Sequence, residues 1–193
     1  MFRCLLPLVG LAFLTAGCSD MRVEDFAGKQ PQFVFEDYFA GETKAWGIVR
    51  DRFGKVRRQF TVEMNGSWDG KVLNLDEHFV YDDGETDKRT WVVRKLDEHR
   101  YEGTAGDVIG SATGATYGNA LNWSYTLALP IGERIWHVDF DDWMFLQPDG
   151  VLINRADMSK FGIRLGEIVL FFKKDVGAAA ATEPVTNPAA SGG

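Results

Sequence analysis

Short turn sequences recur about every ten residues along this chain, which limits it to a fold built from many short strands. The segments FGKV, NGSW, DDGE, YGN and PDG separate stretches in which apolar and polar residues alternate. No segment of helical length has apolar residues at the spacing of three and four that an amphipathic helix requires. The pattern predicts an all-β domain, an antiparallel meander that closes into a barrel of about 8–10 strands or packs as a sandwich.

The N-terminal segment MFRCLLPLVGLAFLTAGCSD predicts a secretion signal rather than folded sequence. Arg3 precedes an apolar stretch from Leu5 to Leu14, and small residues then lead to Cys18. The stretch is too short for a dedicated membrane span. A cysteine directly after the small residues resembles the signal of bacterial lipoproteins, in which that cysteine receives the lipid and becomes the first mature residue. An ordinary signal with a chance cysteine is the alternative.

These features divide the chain into four parts. We expect residues 1–17 to be the lipoprotein signal and 18–30 to be a linker after lipidated Cys18. Residues 31–176 should form the barrel, and 177–193, which have no apolar periodicity, should form a disordered tail. Residue 19 is a serine, which resembles the outer-membrane sorting signal. The predicted location is therefore the periplasmic face of the outer membrane.

The charge and the cysteines exclude several classes of function. The chain has a formal net charge of −7, which argues against nucleic acid as a partner and against a basic patch that binds anionic lipid. Its two cysteines are Cys4, within the signal, and Cys18. No thiol would then remain for a disulfide, a zinc site or a cysteine nucleophile. We expect a monomer without a cofactor.

Two turn motifs predict the register of the first hairpins. Gly54–Lys55 and Asn65–Gly66 have the composition of two-residue hairpin turns, and the first would place Asp51 opposite Arg58. Alternation along these strands and the next one then puts four charged residues on the apolar face. Because buried charges are costly unless paired, this group is either a salt-bridged barrel end or the polar floor of a ligand site. Its members are Asp51, Arg58, Glu77 and Arg89.

The segment GDVIGSATGATYG, residues 106–118, has glycine at every fourth position. As a strand it would carry all four glycines, Gly110 and Gly114 among them, on one nearly bare face, because four is twice the strand repeat. The glycines could let a small barrel curve, accommodate bulky rings or line a cavity for an apolar ligand. The rings expected opposite are Trp91, Trp123 and Tyr125.

The segment ERIWHVDFDDWMFL, residues 133–146, predicts a long strand with Asp142 on its apolar face. We expect Asp142 to form a structural ion pair with Arg155 of the following strand. The opposite face carries an imidazole and two carboxylates, but no second histidine at matched spacing, so a solvated surface is favoured over a metal or acid–base site. These residues are His137, Asp139 and Asp141. No metal site is predicted.

Five segments within about residues 22–174 occur here in combination: FEDYFAGETKAWG, DRFGKVRRQF, YGNALNWSYTLALP, DDWM and NRADMSKFGIRLGE. Together they resemble a family of bacterial lipoproteins known as domain of unknown function 3833. The resemblance implies a lipocalin-like barrel, in agreement with the predicted meander. It implies no functional residues, because the family has no established activity.

Architecture and location predict a noncatalytic binder or carrier of a lipid or another apolar small molecule in envelope maintenance. One alternative is an isomerase or hydratase acting on lipid-like substrates, with Glu77, Asp51 or Asp142 as acid or base. Another is a structural module that binds an envelope protein. The candidate ligand-binding residues are Asp51, Arg58, Glu77, Arg89, Trp91, Gly110, Gly114, Trp123, Tyr125, Asp142 and Arg155.

Overall fold

The computed structural model describes residues 21–174. The predicted signal, Cys18 and the predicted tail from 177 to 193 lie outside the described residues. A 3-10 helix, Val23–Phe26, and a short helix α1, Phe35–Phe39, precede ten strands. The strands are β1 (Gly41–Asp51), β2 (Val56–Trp68), β3 (Val72–Tyr81), β4 (Thr86–Lys95), β5 (Arg100–Thr104), β6 (Ala112–Tyr117), β7 (Ala120–Ile131), β8 (Arg134–Leu146), β9 (Val151–Lys160) and β10 (Ile163–Lys174).

The ten strands form one closed antiparallel barrel. Each strand pairs with its neighbours in sequence, and β1 pairs with β10 to complete the ring. The predicted all-β meander and its barrel closure are confirmed. Apolar and polar residues alternate along the strands, because every second side chain of a strand points into the barrel. In β7, for example, Leu121, Trp123 and Leu127 are at most 4% exposed, whereas Ser124 and Thr126 between them are partly exposed.

Helix α1 closes one end of the barrel, which we call the plug end; the turns after β2, β4, β6 and β8 lie there. The ring of Phe35 stacks on Trp123 with a centroid separation of 5.8 Å, and Phe39 packs edge-on against Phe172. The Tyr38 hydroxyl donates a hydrogen bond to the carbonyl of Gly150. The opposite end, which we call the rim, carries the turns after β1, β3, β5, β7 and β9.

The wall at the rim is completed by a loop rather than by strands. Strands β5 and β6 have only 5 and 6 residues, so β4 and β7 extend past them toward the rim. Residues 105–111 fill this gap. Val108 forms a bridge with Leu127, the Ile109 amide donates to the Thr126 carbonyl over 2.9 Å, and the loop continues the wall beside β7.

The predicted register of the first hairpin is wrong. Arg58 pairs with Val49, not with Asp51, and the turn includes Asp51 itself. Its carboxylate accepts the backbone amides of Phe53 and Lys55 over 2.9 and 3.0 Å. Such capping of a turn satisfies amides that no strand partner can reach.

The second predicted turn is also wrong, because β2 continues through Asn65 and Gly66. Gly66 is required in the strand, since a Cβ there would lie 1.9 Å from the Phe39 carbonyl oxygen of α1. The chain turns instead at Asp69, whose carboxylate accepts the amides of Lys71 and Val72. Both errors shift the pairing by an even number of residues, so the predicted inward faces are retained.

The glycines of residues 106–118 do not share a strand face. Gly106 and Gly110 lie in the loop before β6, Gly110 with φ +71°, and Gly118 lies in the turn before β7. Only Gly114 is within β6, where a Cβ would lie 2.1 Å from Cε3 of Trp123. Gly114 therefore accommodates the tryptophan ring, and Gly110 borders no part of the barrel interior.

Replacing Gly114 with alanine should destabilise the barrel, because the added methyl group must displace the Trp123 ring. We expect a loss on the order of 1–3 kcal/mol in the free energy of unfolding, measured by chemical denaturation. Gly106→Ala is the matched control, since a Cβ at Gly106 meets nothing within 4 Å. Equal stability of the two variants would contradict this account of Gly114.

Candidate functional site: the barrel interior

A cavity of about 120 Å³ lies inside the barrel. An engineered cavity of about 150 Å³ holds one benzene molecule, so this space matches a ring or a short alkyl group. Its walls are mainly aromatic and aliphatic, and α1 contributes Phe35 and Phe39. The strands contribute Phe60, Leu75, Trp91, Trp123, Met144 and Phe172.

One polar group on the wall is built around Arg89 of β4. Its guanidinium donates to the Asp107 carboxylate, with Nε 3.1 Å and Nη2 2.6 Å from Oδ2. This fork joins β4 to the loop 105–111 across the gap in the wall. The Arg89 Nη1 atom also lies 3.7 Å from Oε2 of Glu77, whose side chain is only 14% exposed. One arginine thus faces two carboxylates.

A second polar group joins β7 and β8. The Tyr125 hydroxyl donates to Oδ2 of Asp142 over 3.2 Å. The Tyr125 ring is held between Phe140, on which it stacks at 5.1 Å, and Trp91, which it meets edge-on at 5.4 Å. Asn154 of β9 also lines the cavity and is buried.

Two carboxylate oxygens in this cavity have no hydrogen-bond partner among the described residues. They are Oε2 of Glu77 and Oδ1 of Asp142, and both side chains line the cavity. Buried polar atoms in folded proteins are nearly always paired. These two oxygens therefore retain the capacity to accept a hydrogen bond from within the cavity.

Burial changes the protonation of both acids. Burial raises the pKa of Glu77 to about 7, against the opposing effect of the Arg89 charge. Burial likewise raises the pKa of Asp142 to about 7, although the hydrogen bond from Tyr125 acts in the other direction. Burial also raises the pKa of Tyr125 well above its ordinary value. Near neutral pH, each carboxyl group therefore exists in both forms and can donate or accept a proton.

Six of the predicted ligand-binding residues line the cavity: Glu77, Arg89, Trp91, Trp123, Tyr125 and Asp142. Gly110 and Asp51 belong to rim turns, and Gly114 packs behind Trp123. Arg58 also lies at the rim, where its guanidinium stacks 3.5 Å from the Tyr81 ring centroid and binds Asp83 over 2.8 Å.

Arg155 is not part of this site, and the predicted pair with Asp142 is wrong. Asn154 points inward from β9, so the next residue, Arg155, points out of the barrel. It binds Glu167 over 2.9 Å. Glu167 is only 8% exposed, although it lies on the outer face, because three arginines cover it. They are Arg50, Arg155 and Arg164.

The carboxylates of the outer β8 face bind neighbouring side chains. Asp139 accepts from the Thr126 hydroxyl and Asp141 from the Asn122 amide, each over 2.7 Å. His137 is exposed on the same face. Within residues 21–174, no group of three or more potential ligands is arranged to hold a metal ion.

Sequence reasoning missed Asp107, the partner of Arg89. The glycine-rich segment was predicted as a strand, and alternation would then have put Asp107 on its outer face. The available signal was the charge of Arg89 itself, because a buried arginine requires an acidic partner. The contribution of α1 to the cavity was also missed, since five residues are too few to show a helical period.

The fold and the interior site define a ten-stranded antiparallel barrel that encloses a small apolar cavity with buried acids. Residues 12–174 match the model of a protein family described as 'protein of unknown function (DUF3833)'. The chain belongs to this family. No curated protein matches it. Among the described residues, no helix has the length and apolar character needed to cross a membrane.

The raised pKa values make the stability of the barrel depend on pH. A carboxyl group with a raised pKa in the folded state contributes stability below its unfolded pKa, and this is lost as pH rises toward about 7. We expect Glu77 and Asp142 each to contribute a loss on the order of 2 kcal/mol between about pH 5 and pH 7.5. Glu77→Gln and Asp142→Asn should flatten the measured curve of unfolding free energy against pH. Curves parallel to that of the wild type would contradict the assignment.

Proposed function

We propose that this protein is a lipid-anchored envelope protein whose barrel binds a small amphipathic molecule without catalysing its conversion. The observation that carries the proposal is the pair of buried carboxyl oxygens without a hydrogen bond, on Glu77 and Asp142, in a mainly apolar cavity. An apolar wall with a few convergent polar groups is the usual composition of a small-molecule site.

The volume of the cavity limits the ligand. A space of about 120 Å³ accepts a ring or a short chain, not a complete membrane lipid. A longer lipid would have to enter by one end and leave the remainder outside. The ligand class is therefore a small apolar molecule, or a lipid of which only one end is enclosed.

The charges around the cavity favour a neutral or cationic head group. Arg89 is already engaged by Asp107, so it offers little to an additional anion. Glu77 and Asp142 would repel a carboxylate, whereas a hydroxyl or an amine can donate to their open oxygens. We therefore expect alcohols and amines to bind better than acids with the same chain.

One observation favours an enzyme as the second candidate. Glu77 and Asp142 have pKa values of about 7 in a cavity that also holds the Tyr125 hydroxyl, and such groups suit proton transfer at neutral pH. An isomerase or hydratase built on these residues would exchange protons next to the carbonyl of a bound ketone with solvent deuterium. A simple binder would leave the ketone unchanged.

Location in the envelope is supported by the N-terminal sequence. An apolar stretch, small residues and Cys18 follow in the order of a lipoprotein signal. A lipid on Cys18 would hold the barrel at the periplasmic face of the outer membrane. The acidic net charge favours a small-molecule ligand over nucleic acid in this setting.

Ligand binding can be tested with three six-carbon probes: n-hexanol, hexylamine and hexanoate. We expect NMR titration to show hexanol and hexylamine in the cavity, with hexanoate at least tenfold weaker because of the buried acids. Ala156→Leu should fill the cavity and weaken hexanol binding at least tenfold. Ala128→Leu is the control, because Ala128 lies on the outer face of β7, away from the cavity. Failure of hexanol to bind, or equal binding by the two variants, would contradict the proposal.

Anchoring rests on Cys18 and has a separate test. Cys18→Ser should abolish attachment of the lipid, so the protein should be released from the outer-membrane fraction by a high-salt wash or remain as the uncleaved precursor. Cell fractionation with mass measurement of the purified chain distinguishes these forms. A mature wild-type chain without the mass of a lipid on Cys18 would rule out the lipoprotein assignment.

A further inference from the structure

Three neighbouring turns at the rim expose large apolar side chains. They follow β1, β9 and β7, and the pairing of β1 with β10 and of β9 with β8 places them side by side. Phe53 is 79% exposed, Phe161 86% and Ile135 63%, and Ile131 and Ile163 are exposed beside them. We call residues 51–57, 131–135 and 160–164 the apolar arc.

Folding does not account for the phenylalanine at position 161. Phe161 and Gly162 form a two-residue turn with φ +53° and +75°, the conformation of a type I′ turn. Asparagine or aspartate is the favoured first residue there, because a large side chain is strained at positive φ. Phe161 is therefore unfavourable in its backbone conformation and unfavourable in its exposure. A contact outside the chain would offset both costs.

The apolar arc is basic although the chain as a whole is acidic, so the net charge does not argue against a basic lipid-binding patch on this surface. It contains six basic and two acidic side chains, while the chain carries −7. Arg57 is engaged by Asp51 and Arg164 by Asp157, and the other four bases form no ion pair with described residues. These four are Arg52, Lys55, Arg134 and Lys160.

The bases lie beside the apolar tips. The Arg52 guanidinium is 4.8 Å from the Phe53 ring centroid, and the Lys160 ammonium is 4.7 Å from that of Phe161. In contrast, the neighbouring turn after β3 has the sequence DDGE and no apolar residue. A negatively charged surface would therefore attract the apolar arc and repel the acidic turn after β3.

We propose that the apolar arc docks onto a lipid bilayer surface that carries anionic headgroups. Phenylalanine and isoleucine side chains at the turn tips would enter the boundary between headgroups and acyl chains, and the flanking bases would bind phosphates. A fluid bilayer accepts separate projecting tips, whereas a protein partner would need a matching hollow for each one. The proposal does not depend on a ligand in the cavity.

Docking would bring the interior site close to lipid. Loop 105–111 lies at the rim, and its Asp107 binds Arg89 on the cavity wall.

The test uses residues 18–193 with Cys18→Ser, which retains every described residue and carries no lipid. Its sedimentation is measured with vesicles of phosphatidylcholine and with vesicles that also contain phosphatidylglycerol. We expect association with the anionic vesicles, weaker association in high salt and weaker association with phosphatidylcholine alone. Sedimentation in the absence of vesicles would show self-association and would overturn the proposal.

Three substitutions in this chain locate the contact. Phe161→Asn and Phe53→Ser should each lower the vesicle partition coefficient about tenfold, through loss of one inserted ring. Phe161→Asn should be at least as stable as the parent, because asparagine suits the turn, so its lost binding cannot reflect misfolding. Leu96→Ser, at the plug end where Leu96 is 51% exposed, should bind normally. No binding by the parent, or parental binding by Phe161→Asn, would overturn the proposal.

Discussion

The fork between Arg89 and Asp107 holds together the part of the barrel that the strands leave open. Strands β5 and β6 end before the rim, and this ion pair joins the loop that replaces them to β4. Asp107 also accepts the Ala128 amide through its backbone carbonyl, so one residue connects both sides of the gap. The same guanidinium lies near Glu77. Arg89 therefore both closes the wall and contributes to the polarity of the cavity.

The interior is consequently divided along the barrel axis. Aromatic rings from α1, with Trp123, fill the plug end, and Asp142 pairs with Trp123 across β7 and β8. Arg89 and Glu77 lie nearer the rim loop that carries Asp107. An amphipathic molecule would enter with its apolar part toward α1 and leave its polar group beside Glu77 and Asp142. The apolar arc at the same end gives the barrel a direction, with the site facing the surface that the rim contacts.

Much of the fold, but only part of the site, could be predicted from the sequence. Alternation identified the inward faces of β7 and β8 correctly, because it depends on local periodicity alone. Register was mispredicted because two turn signals lie close together in the sequence, Asn65–Gly66 and Asp69–Gly70. The chain turns at the second, where Asp69 caps the turn, and Asp51 caps the preceding turn in the same way. Asp107 was misplaced because its position depends on where β5 and β6 end, which is a property of the pairing and not of the segment. Arg155 was misplaced because the inward position beside it is taken by a polar residue, Asn154, so polarity did not distinguish the two faces of β9.

The central claim is that the barrel keeps two carboxyl groups in an apolar cavity, where burial raises their pKa values. It is tested most directly by ¹³C NMR of the side-chain carboxyl carbons across pH, assigned with Glu77→Gln and Asp142→Asn. The account predicts that both carboxyl groups titrate at about pH 7. Titration of both near pH 4, as for carboxyl groups in water, would contradict it.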